Sequence, residues 1–451
     1  MQIQLHPDAK VTKEGENVVK VTSPHVTLTL DQVPDEIQRL LLALTEFQEE
    51  SQLLAEFSSL DPCLGASIFY YYLGLLEEHN FLVYKTAFIQ AIGTHPNELR
   101  VGKIPQGPFQ IGRYVVCRRE NEDWIAESPL ASVKCILHAA EGVELFFTLA
   151  KAHTIEDLCK RFPQFSKEAL KETVALLWAN KMLSEEKEHA STAHWEPHDL
   201  YFHFRSRIGR HQYPYGGTFH LKDQIPPSPC TKECLERPLM QLQKPEFKKQ
   251  ACFFDVLERR KSVRKHGEKP LSLEQLSEFL FYSSRIKGKM TAHGEELSLR
   301  PYPAGGARYE LEINLIVHQC CGLERGVYHY HPLQHALCRV SEFNETAELL
   351  LKDACISTAT DAFPQVLIIL SARFHRVYRK YQSMAYAVIL KNVGSLVQTM
   401  YLTASALDLA PCAIGGGNSD HFCQLVGTDY LEETSVGEFM LGSIPGTATE
   451  K

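Results

Sequence analysis

The sequence lacks the features that would export the chain or anchor it in a membrane. Its start, "MQIQLHPDAK", has neither the positive n-region nor the apolar h-region of a secretion signal. Nowhere does a run of about 18 uncharged apolar residues occur, which is the length that a membrane-spanning helix needs. We therefore expect a cytoplasmic protein with no membrane partner.

The spacing of the cysteines and histidines does not favour a metal site. The 13 cysteines include no CxxC pair. His194 and His198 have HxxxH spacing, but Pro197 between them argues against one helix that presents both. We expect reduced thiols and no bound metal.

A chain of 451 residues exceeds the usual size of one hydrophobic core, so two or three domains are expected. The order strand, helix, turn, helix, turn, helix occurs twice, within residues 1–98 and within residues 99–186. In the second copy, Thr154 with Asp157 and Ser166 with Glu168 are typical helix starts. Each copy is predicted to be a small winged helix-turn-helix unit.

The third helix of each copy is unsuited to DNA. The segments "SIFYYYLGLLEEHNF" and "KEALKETVALLWANKM" contain no arginine for base edges or phosphates, and the formal net charge is −8. No nucleic-acid partner is expected. The paired copies resemble peptide-clamp domains, which add a strand of a precursor peptide to an open sheet edge. Strand addition leaves little sequence signature, so a purely scaffolding or dimerising role stays open.

Residues 187–250 contain no long periodic element and are predicted to be a connector. Residues 251–451 mix helices and strands. The pattern predicts a helix over "PLSLEQLSEFLFYSSRI", strands over "YELEINLIVH" and "QVLIILS", and a long helix from Tyr381 to about Leu407. Lys391 is the only charge between those two residues, which is typical of a core helix or a subunit interface.

Three stretches of the C-terminal half could hold a phosphorylated planar ring. The first is an Arg-x-Ser-x-Arg run, whose alternate side chains would form a fork for a phosphate if the backbone is extended. The second is a turn with almost no side chains, which lets backbone amides approach a flat ring. The third is a glycine triplet after the long helix, with successive amides for an anion. The residues are Arg260, Ser262 and Arg264; Pro303, Ala304, Gly305 and Gly306; and Ile414 with the triplet Gly415, Gly416 and Gly417.

In this order, the three stretches resemble the flavin-binding nitroreductase fold. "WEPHDLYFHFRSRIGRH" and "GLERGVYHYHPLQHAL" resemble the streptolysin-type azoline dehydrogenases, and two clamp-like units ahead of such a domain are most similar to the cyanobactin oxidases. The resemblance implies an α+β fold: a C-terminal FMN-binding domain with a central antiparallel or mixed sheet, preceded by two winged-helix clamp units. It also implies a homodimer that acts on a precursor peptide.

The resemblance assigns catalysis to a Lys-Tyr pair, which here is Lys380 and Tyr381. Oxidation of an azoline to an azole removes a proton from the former peptide α-carbon and a hydride from the adjacent carbon. Flavin N5 accepts the hydride and oxygen reoxidises the flavin, so the protein must supply a base. A phenol is a weak base, since its unperturbed pKa is about 10, but a neighbouring ammonium favours the phenolate. We favour Tyr381 as the base with Lys380 as its activator; the reverse assignment stays open.

Two features depart from the family pattern. The C-terminal "EFMLGSIPGTATEK" offers no arginine for the flavin phosphate, so Arg300 or a residue of a second subunit is expected to substitute. Ala304 stands where many relatives have serine, so no hydroxyl contact to the ring is expected there. Two other functions fit the same residues: an NAD(P)H-dependent nitroreductase or flavin reductase, and a peptide-binding scaffold without catalysis.

Overall fold

The computed structural model of the chain describes residues 1–446 except 15–16, 24–25, 94–101, 132, 186–191, 212, 234–237, 247–250 and 293. The chain divides into two compact units, Met1–Tyr213 and Pro214–Lys451. The domain boundaries predicted from the sequence, after residues 98, 186 and 250, all lie outside the described residues and stay predictions.

The first unit combines short strands with seven helices among its described residues. Its strands are β1 (Gln2–Leu5), β2 (Lys10–Lys13), β3 (Val19–Thr22), β4 (Thr27–Leu30), β5 (Gln48–Glu49), β6 (Leu82–Lys85), β7 (Ile89–Gly93), β8 (Gln110–Ile111), β9 (Val116–Glu120), β10 (Asp123–Glu127), β11 (Val133–Leu137) and β12 (Leu183–Ser184). Its helices are α1 (Asp35–Ala43), α2 (Glu50–Leu60), α3 (Gly65–Glu78), α4 (Ala139–Thr148), α5 (Ile155–Arg161), α6 (Lys167–Ala179) and α7 (Pro197–Arg205).

The two sequence copies share one sheet in this unit. The strand order is β5-β1-β6-β7-β11-β10-β9, and β7 of the first copy pairs antiparallel with β11 of the second. A separate three-stranded sheet, β2-β3-β4, precedes α1. The six helices predicted from the repeated pattern are present as α1 to α6, because each places apolar residues on the face that packs into a common core.

Helix starts in the first unit follow local chemistry. Thr154 and Asp157 form the predicted capping box at α5. Ser166 caps α6 by accepting the N–H of Ala169, and Glu168 lies in the first turn of that helix, so this predicted helix start is confirmed. The predicted connector contains a nine-residue helix, α7, that the sequence pattern missed. Pro197 is its first residue. The N–H of a first helical residue has no partner within the helix, so proline, which lacks this N–H, is tolerated there.

The second unit contains one large sheet and its helices. Its strands are β13 (Leu239–Gln241), β14 (Gly288–Ala292), β15 (Glu295–Leu299), β16 (Leu311–Val317), β17 (Gly326–His331), β18 (Ala336–Glu342), β19 (Val366–Arg373), β20 (Leu409–Ile414) and β21 (Glu433–Ser443). Its helices are α8 (Phe253–Arg259), α9 (Leu273–Ser284), α10 (Glu345–Thr358), α11 (Phe374–Tyr378), α12 (Ala385–Ala406) and α13 (Ser419–Val426).

The sheet runs β13-β18-β17-β16-β19-β21-β20 and every pairing in it is antiparallel. Strands β16 and β19 lie at its centre and are buried along their whole length. Helices α9 and α12 contribute to the core that includes Leu311 and Leu370, and α10 and α13 contribute to the core that includes Ile316 and Leu367. The strands and the helix α9 predicted from the sequence are confirmed.

The long apolar helix begins four residues later than predicted. Helix α12 starts at Ala385, and Lys380 and Tyr381 lie in the connection between α11 and α12. Ser383 adopts a φ of 57°, which a right-handed helix does not allow. Among the described residues, no helix combines the length and apolar character required to cross a bilayer.

Candidate active site

The Gly-rich turn is fixed to helix α12 by an asparagine. Gly305–Ala307 form a short 3₁₀ turn. The N–H of Gly305 donates to Oδ1 of Asn392 at 2.9 Å, and Nδ2 of Asn392 donates to both carboxylate oxygens of Glu310 at 2.9 and 3.1 Å. Burial raises the pKa of the Glu310 carboxyl. This buried chain of bonds sets the position of the turn that precedes β16.

The Lys-Tyr pair is held by backbone bonds on both sides. The N–H groups of Lys380 and Tyr381 donate to the carbonyl of Val377 at 3.1 and 2.9 Å, and the N–H of Phe219 donates to the carbonyl of Lys380 at 3.0 Å. Nζ of Lys380 lies 5.1 Å from the ring centroid of Tyr381 and 5.6 Å from that of Phe219. The ammonium therefore lies beside two aromatic rings, within the range of cation–π attraction.

Gly306 brings the turn and the pair together. Its φ is +60°, a left-handed conformation that favours glycine. A Cβ atom at this position would lie 2.7 Å from Nζ of Lys380 and would also overlap the hydroxyl oxygen of Tyr381. Both functional groups are therefore at the surface of the turn, and only glycine leaves them room.

The Arg-x-Ser-x-Arg run packs beside the start of the glycine triplet. The guanidinium of Arg260 lies 5.3 Å from the ring centroid of Tyr401, and Oγ of Ser262 lies 2.7 Å from the Tyr401 hydroxyl. The same hydroxyl accepts the N–H of Ala413 at 2.8 Å, and the N–H of Val263 donates to the carbonyl of Pro411 at 2.7 Å. The run is thereby aligned with β20, the strand that leads into the triplet.

The two arginines of this run have charge available for an anion. Neither Arg260 nor Arg264 forms an ion pair with another described residue, whereas the neighbouring Arg259 pairs with Asp408 at 3.0 Å. Arg264 is exposed and Arg260 half-buried. A phosphate is the ligand that such a pair of guanidiniums favours.

A pocket of about 260 Å³ lies at the glycine triplet. Gly415, Gly416 and Gly417 form one wall, and Val393 and Val397 of α12 form another. Glu438 of β21 also lines this pocket, and burial raises the pKa of its carboxyl to about 7.

The structure brings the predicted site residues together in two groups. Arg260, Ser262 and Arg264 adjoin the strand that ends at Ile414, while the turn from Pro303 to Gly306 adjoins Lys380 and Tyr381. Both groups contact α12, the first at Tyr401 and the second at Asn392. These two residues are nine positions apart, which is about 14 Å along a helix.

Arg300 belongs to neither group. It is 4% exposed, and its guanidinium donates to the carbonyls of Leu311 and Cys230, both at 3.3 Å. The ring of Tyr309 packs against it. The expected phosphate contact by Arg300 is thus not formed in this arrangement, because the side chain is directed into the interior of the domain.

Three residues of the site escaped the sequence analysis: Asn392, Tyr401 and Glu438. Asn392 had a signal, since a polar side chain in an apolar helix needs a buried partner. Tyr401 and Glu438 had no such signal in the sequence. Tyr401 bonds to Ser262, which is 139 residues away, and Glu438 lies against Gly417, which is 21 residues away.

A wider groove of about 840 Å³ shares Ser419 and Ser435 with the pocket at the triplet. Its lining includes four aromatic residues, Phe374, Tyr378, Tyr386 and Tyr430, and the aliphatic residues Leu221, Ile225 and Leu431. Its walls could accept apolar side chains of an extended ligand.

Three features together define a nitroreductase-like flavoprotein fold. They are a seven-stranded antiparallel sheet with helices on it, a Gly-rich turn before a central strand, and a glycine triplet after the long helix. The chain belongs to the nitroreductase family. A profile of that family matches residues 257–443, and the chain is 32% identical over 161 residues to the nitroreductase-named protein MJ1384 of Methanocaldococcus jannaschii, covering 36% of this chain and 77% of that protein. The profile "Cyanobactin oxidase ThcOx" matches residues 109–212.

Solved structures with similarity include a nitroreductase-named protein of Anabaena variabilis, with a TM-score of 0.40 and 23% identity over 53% of this chain. The match spans 45% of that protein's length. The Escherichia coli microcin synthetase McbBCD complex with truncated pro-MccB17 has a TM-score of 0.35 and 20% identity, over 58% of this chain and 99% of the matched chain.

Proposed function

We propose that the protein is an FMN-dependent oxidase that converts azolines in a ribosomally made precursor peptide to azoles. The observation that carries the proposal is the juxtaposition of the Lys380 ammonium and the Tyr381 hydroxyl at the Gly306 turn. The match to the cyanobactin oxidase profile supports the peptide azoline as substrate class.

The residues present fit FMN. Arg260 and Arg264, which form no ion pair with another described residue, offer their guanidiniums to a phosphate, and Ser262 adds a hydroxyl beside them. Gly415 and Gly416 leave open space, since a Cβ at Gly415 would meet no atom within 4 Å. When bound, FMN supplies the hydride acceptor.

The protein's own part in the reaction is to remove the α-proton. Tyr381, in its phenolate form, takes the proton, and the adjacent Lys380 ammonium stabilises the phenolate charge. The aromatic surroundings of Lys380 and the backbone bonds to Val377 hold the two groups in place. In the reverse assignment Lys380 takes the proton, and the two assignments are separated by the variants described in the Discussion.

The first unit is proposed to bind the leader of the precursor peptide. Strands β2 and β4 form the two edges of their three-stranded sheet, and β9 ends the seven-stranded one, so each presents backbone groups to an added strand. A role as scaffold only predicts that removal of the leader leaves azole formation by the full-length protein unchanged.

A direct test follows the mass of an azoline peptide incubated aerobically with the flavin-loaded protein. Oxidation removes two hydrogens per ring, so we expect a loss of about 2 Da for each azoline. An unchanged peptide mass with a fully flavin-loaded protein would contradict the proposal.

The nitroreductase match over residues 257–443 favours NAD(P)H-dependent reduction as the second candidate. Anaerobic stopped-flow bleaching of the flavin separates the two, since an azoline peptide should bleach it under the first proposal and NADPH under the second. A protein that retains no flavin would favour a peptide-binding scaffold instead.

We also expect a homodimer. Phe253, Phe254 and Leu257 of α8 and Tyr386 and Leu390 of α12 are exposed apolar residues, and α8 packs on α12. Such a surface is stabilised when a second copy covers it. Light scattering at micromolar concentration should report about twice 51.2 kDa. A flavin-loaded species at the monomer mass would contradict this expectation.

Gly306→Ala should lower azole formation through crowding at the catalytic pair. The new methyl group would displace Nζ of Lys380 and the Tyr381 hydroxyl. Gly427→Ala is the matched control, because its φ is +75° but no atom lies within 4 Å of its Cβ position. Both variants should lose roughly 1 kcal/mol of unfolding free energy. Equal activities of the two variants would show that the crowding has no catalytic effect.

A further inference from the structure

Glu438 is a buried carboxyl group that the proposed reaction does not use. It lies on β21, where its register partners are Ile369 of β19 and Ile414 of β20. Its side chain is 8% exposed and lines the pocket at the glycine triplet. A burial this deep in a nearly apolar setting is costly for a charged carboxylate, so the position calls for an explanation.

Gly417, the third glycine of the triplet, leaves room for this carboxyl group. A Cβ at Gly417 would overlap the carboxyl carbon and both oxygens of Glu438, whereas a Cβ at Gly415 would meet nothing. Gly417 does not have a left-handed φ, so the close approach of the carboxyl group, and not the backbone conformation, disfavours a side chain there. The triplet therefore has two functions: Gly415 and Gly416 open the pocket, and Gly417 admits Glu438 to its wall.

No described cation balances Glu438. The elements around it contribute apolar or hydroxyl side chains to the pocket, namely Val393 and Val397 of α12, Ala413 and Ile414 of β20, Ser419 of α13, and Ser435 and Val436 of β21. Burial raises the pKa of Glu438 to about 7, and a hydrogen bond with Ser435 offsets part of that effect. The carboxyl group thus changes its charge near neutral pH.

Resting on FMN as the cofactor, we propose that Glu438 holds the flavin ring by a hydrogen bond donated from its neutral carboxyl group, and that flavin affinity falls when the group ionises. A neutral carboxyl donates to a carbonyl oxygen of the ring, while a carboxylate has no proton to donate and places a charge beside those oxygens. Glu438 is a cofactor-binding residue in this proposal, and Lys380 and Tyr381 keep the proton transfer.

The test measures flavin affinity of the full-length apoprotein by fluorescence quenching at pH 6 and pH 8.5. The dissociation constant of the wild type should rise by roughly tenfold to thirtyfold, because each pH unit above the pKa of the free carboxyl lowers its neutral fraction tenfold. The FMN phosphate titrates near the same range, so riboflavin, which has no phosphate, is the second probe. Glu438→Gln keeps a donor at all pH values and should give a nearly constant dissociation constant.

Asp420→Asn is the control, since it removes one carboxylate from an exposed position on the adjacent helix α13 and should leave the wild-type pH dependence intact. Gly417→Ala, which pushes the carboxyl group from its place, should also flatten the pH dependence if Glu438→Gln fails to fold. A wild-type riboflavin affinity equal at both pH values, or a Glu438→Gln variant with the wild-type profile, would overturn the inference. Azole formation, followed separately by the 2 Da mass loss, tests the proposed function alone.

Discussion

Tyr381→Phe should keep the flavin colour and the fold but form azoles roughly 10² to 10⁴ times more slowly than the wild type. The substitution deletes one oxygen from a ring that is half-buried beside Gly306, so packing is conserved and the proposed base is lost. Tyr282→Phe is the matched control, because it removes the same group from a half-buried tyrosine of α9 that lines neither the pocket at the triplet nor the wider groove. The readout is the rate of the 2 Da mass loss at equal flavin occupancy.

Variants of Lys380 test whether this lysine activates Tyr381 or is itself the base. Lys380→Ala should lower the rate of azole formation at equal flavin occupancy, because Tyr381 loses its neighbouring positive charge. Lys380→Arg should fall between the wild type and Lys380→Ala, since it keeps the charge but not the compact ammonium. If a flavin-loaded Tyr381→Phe protein aromatises azolines at nearly the wild-type rate, Tyr381 is not the base and the assignment passes to Lys380.

The second large effect concerns cofactor retention. Arg260→Ala and Arg264→Ala should each weaken FMN binding by about 1.5 to 3 kcal/mol, because a charge-assisted bond to the phosphate is lost in each. The measurement is the FMN that remains after dialysis, together with the dissociation constant of the apoprotein.

Arg259→Ala is the control for this pair. Arg259 is the neighbouring cation, but it lies at the end of α8 and pairs with Asp408, so its loss should leave FMN retention unchanged. Riboflavin should bind the wild type and the two test variants equally, since it carries no phosphate. A double variant, Arg260→Ala with Arg264→Ala, that stays fully yellow after dialysis would refute the phosphate assignment.

Local chemistry in the sequence was sufficient for much of the fold. The capping box of Thr154 and Asp157 and the periodic apolar residues of the first unit predict α1 to α6, because helix starts and amphipathic faces depend on residues within a few positions of one another. The missed helix α7 has a mixed His, Pro and aromatic composition, and its apolar side is only Leu200 and Phe204.

The start of α12 could not be predicted from the local sequence pattern. Apolar residues continue from Tyr381 into the helix, yet the helix begins at Ala385. The N–H of Gln382 donates to the carbonyl of Gly216, so the preceding residues pair with a segment more than 160 positions earlier in the sequence. That pairing, with Ser383 in a left-handed conformation, moves Lys380 and Tyr381 out of the helix and against Gly306.

The sequence by itself determined the chemical groups of the candidate site: the arginine run, the two glycine-rich turns and the Lys-Tyr pair, each readable within a few residues. Only the tertiary structure decided which of them adjoin. It joins Ser262 to Tyr401, separates Arg300 from the other arginines and places Glu438 against Gly417. The physical reason is that side-chain contacts between distant segments depend on strand register and helix packing, which one sequence does not encode in any local pattern.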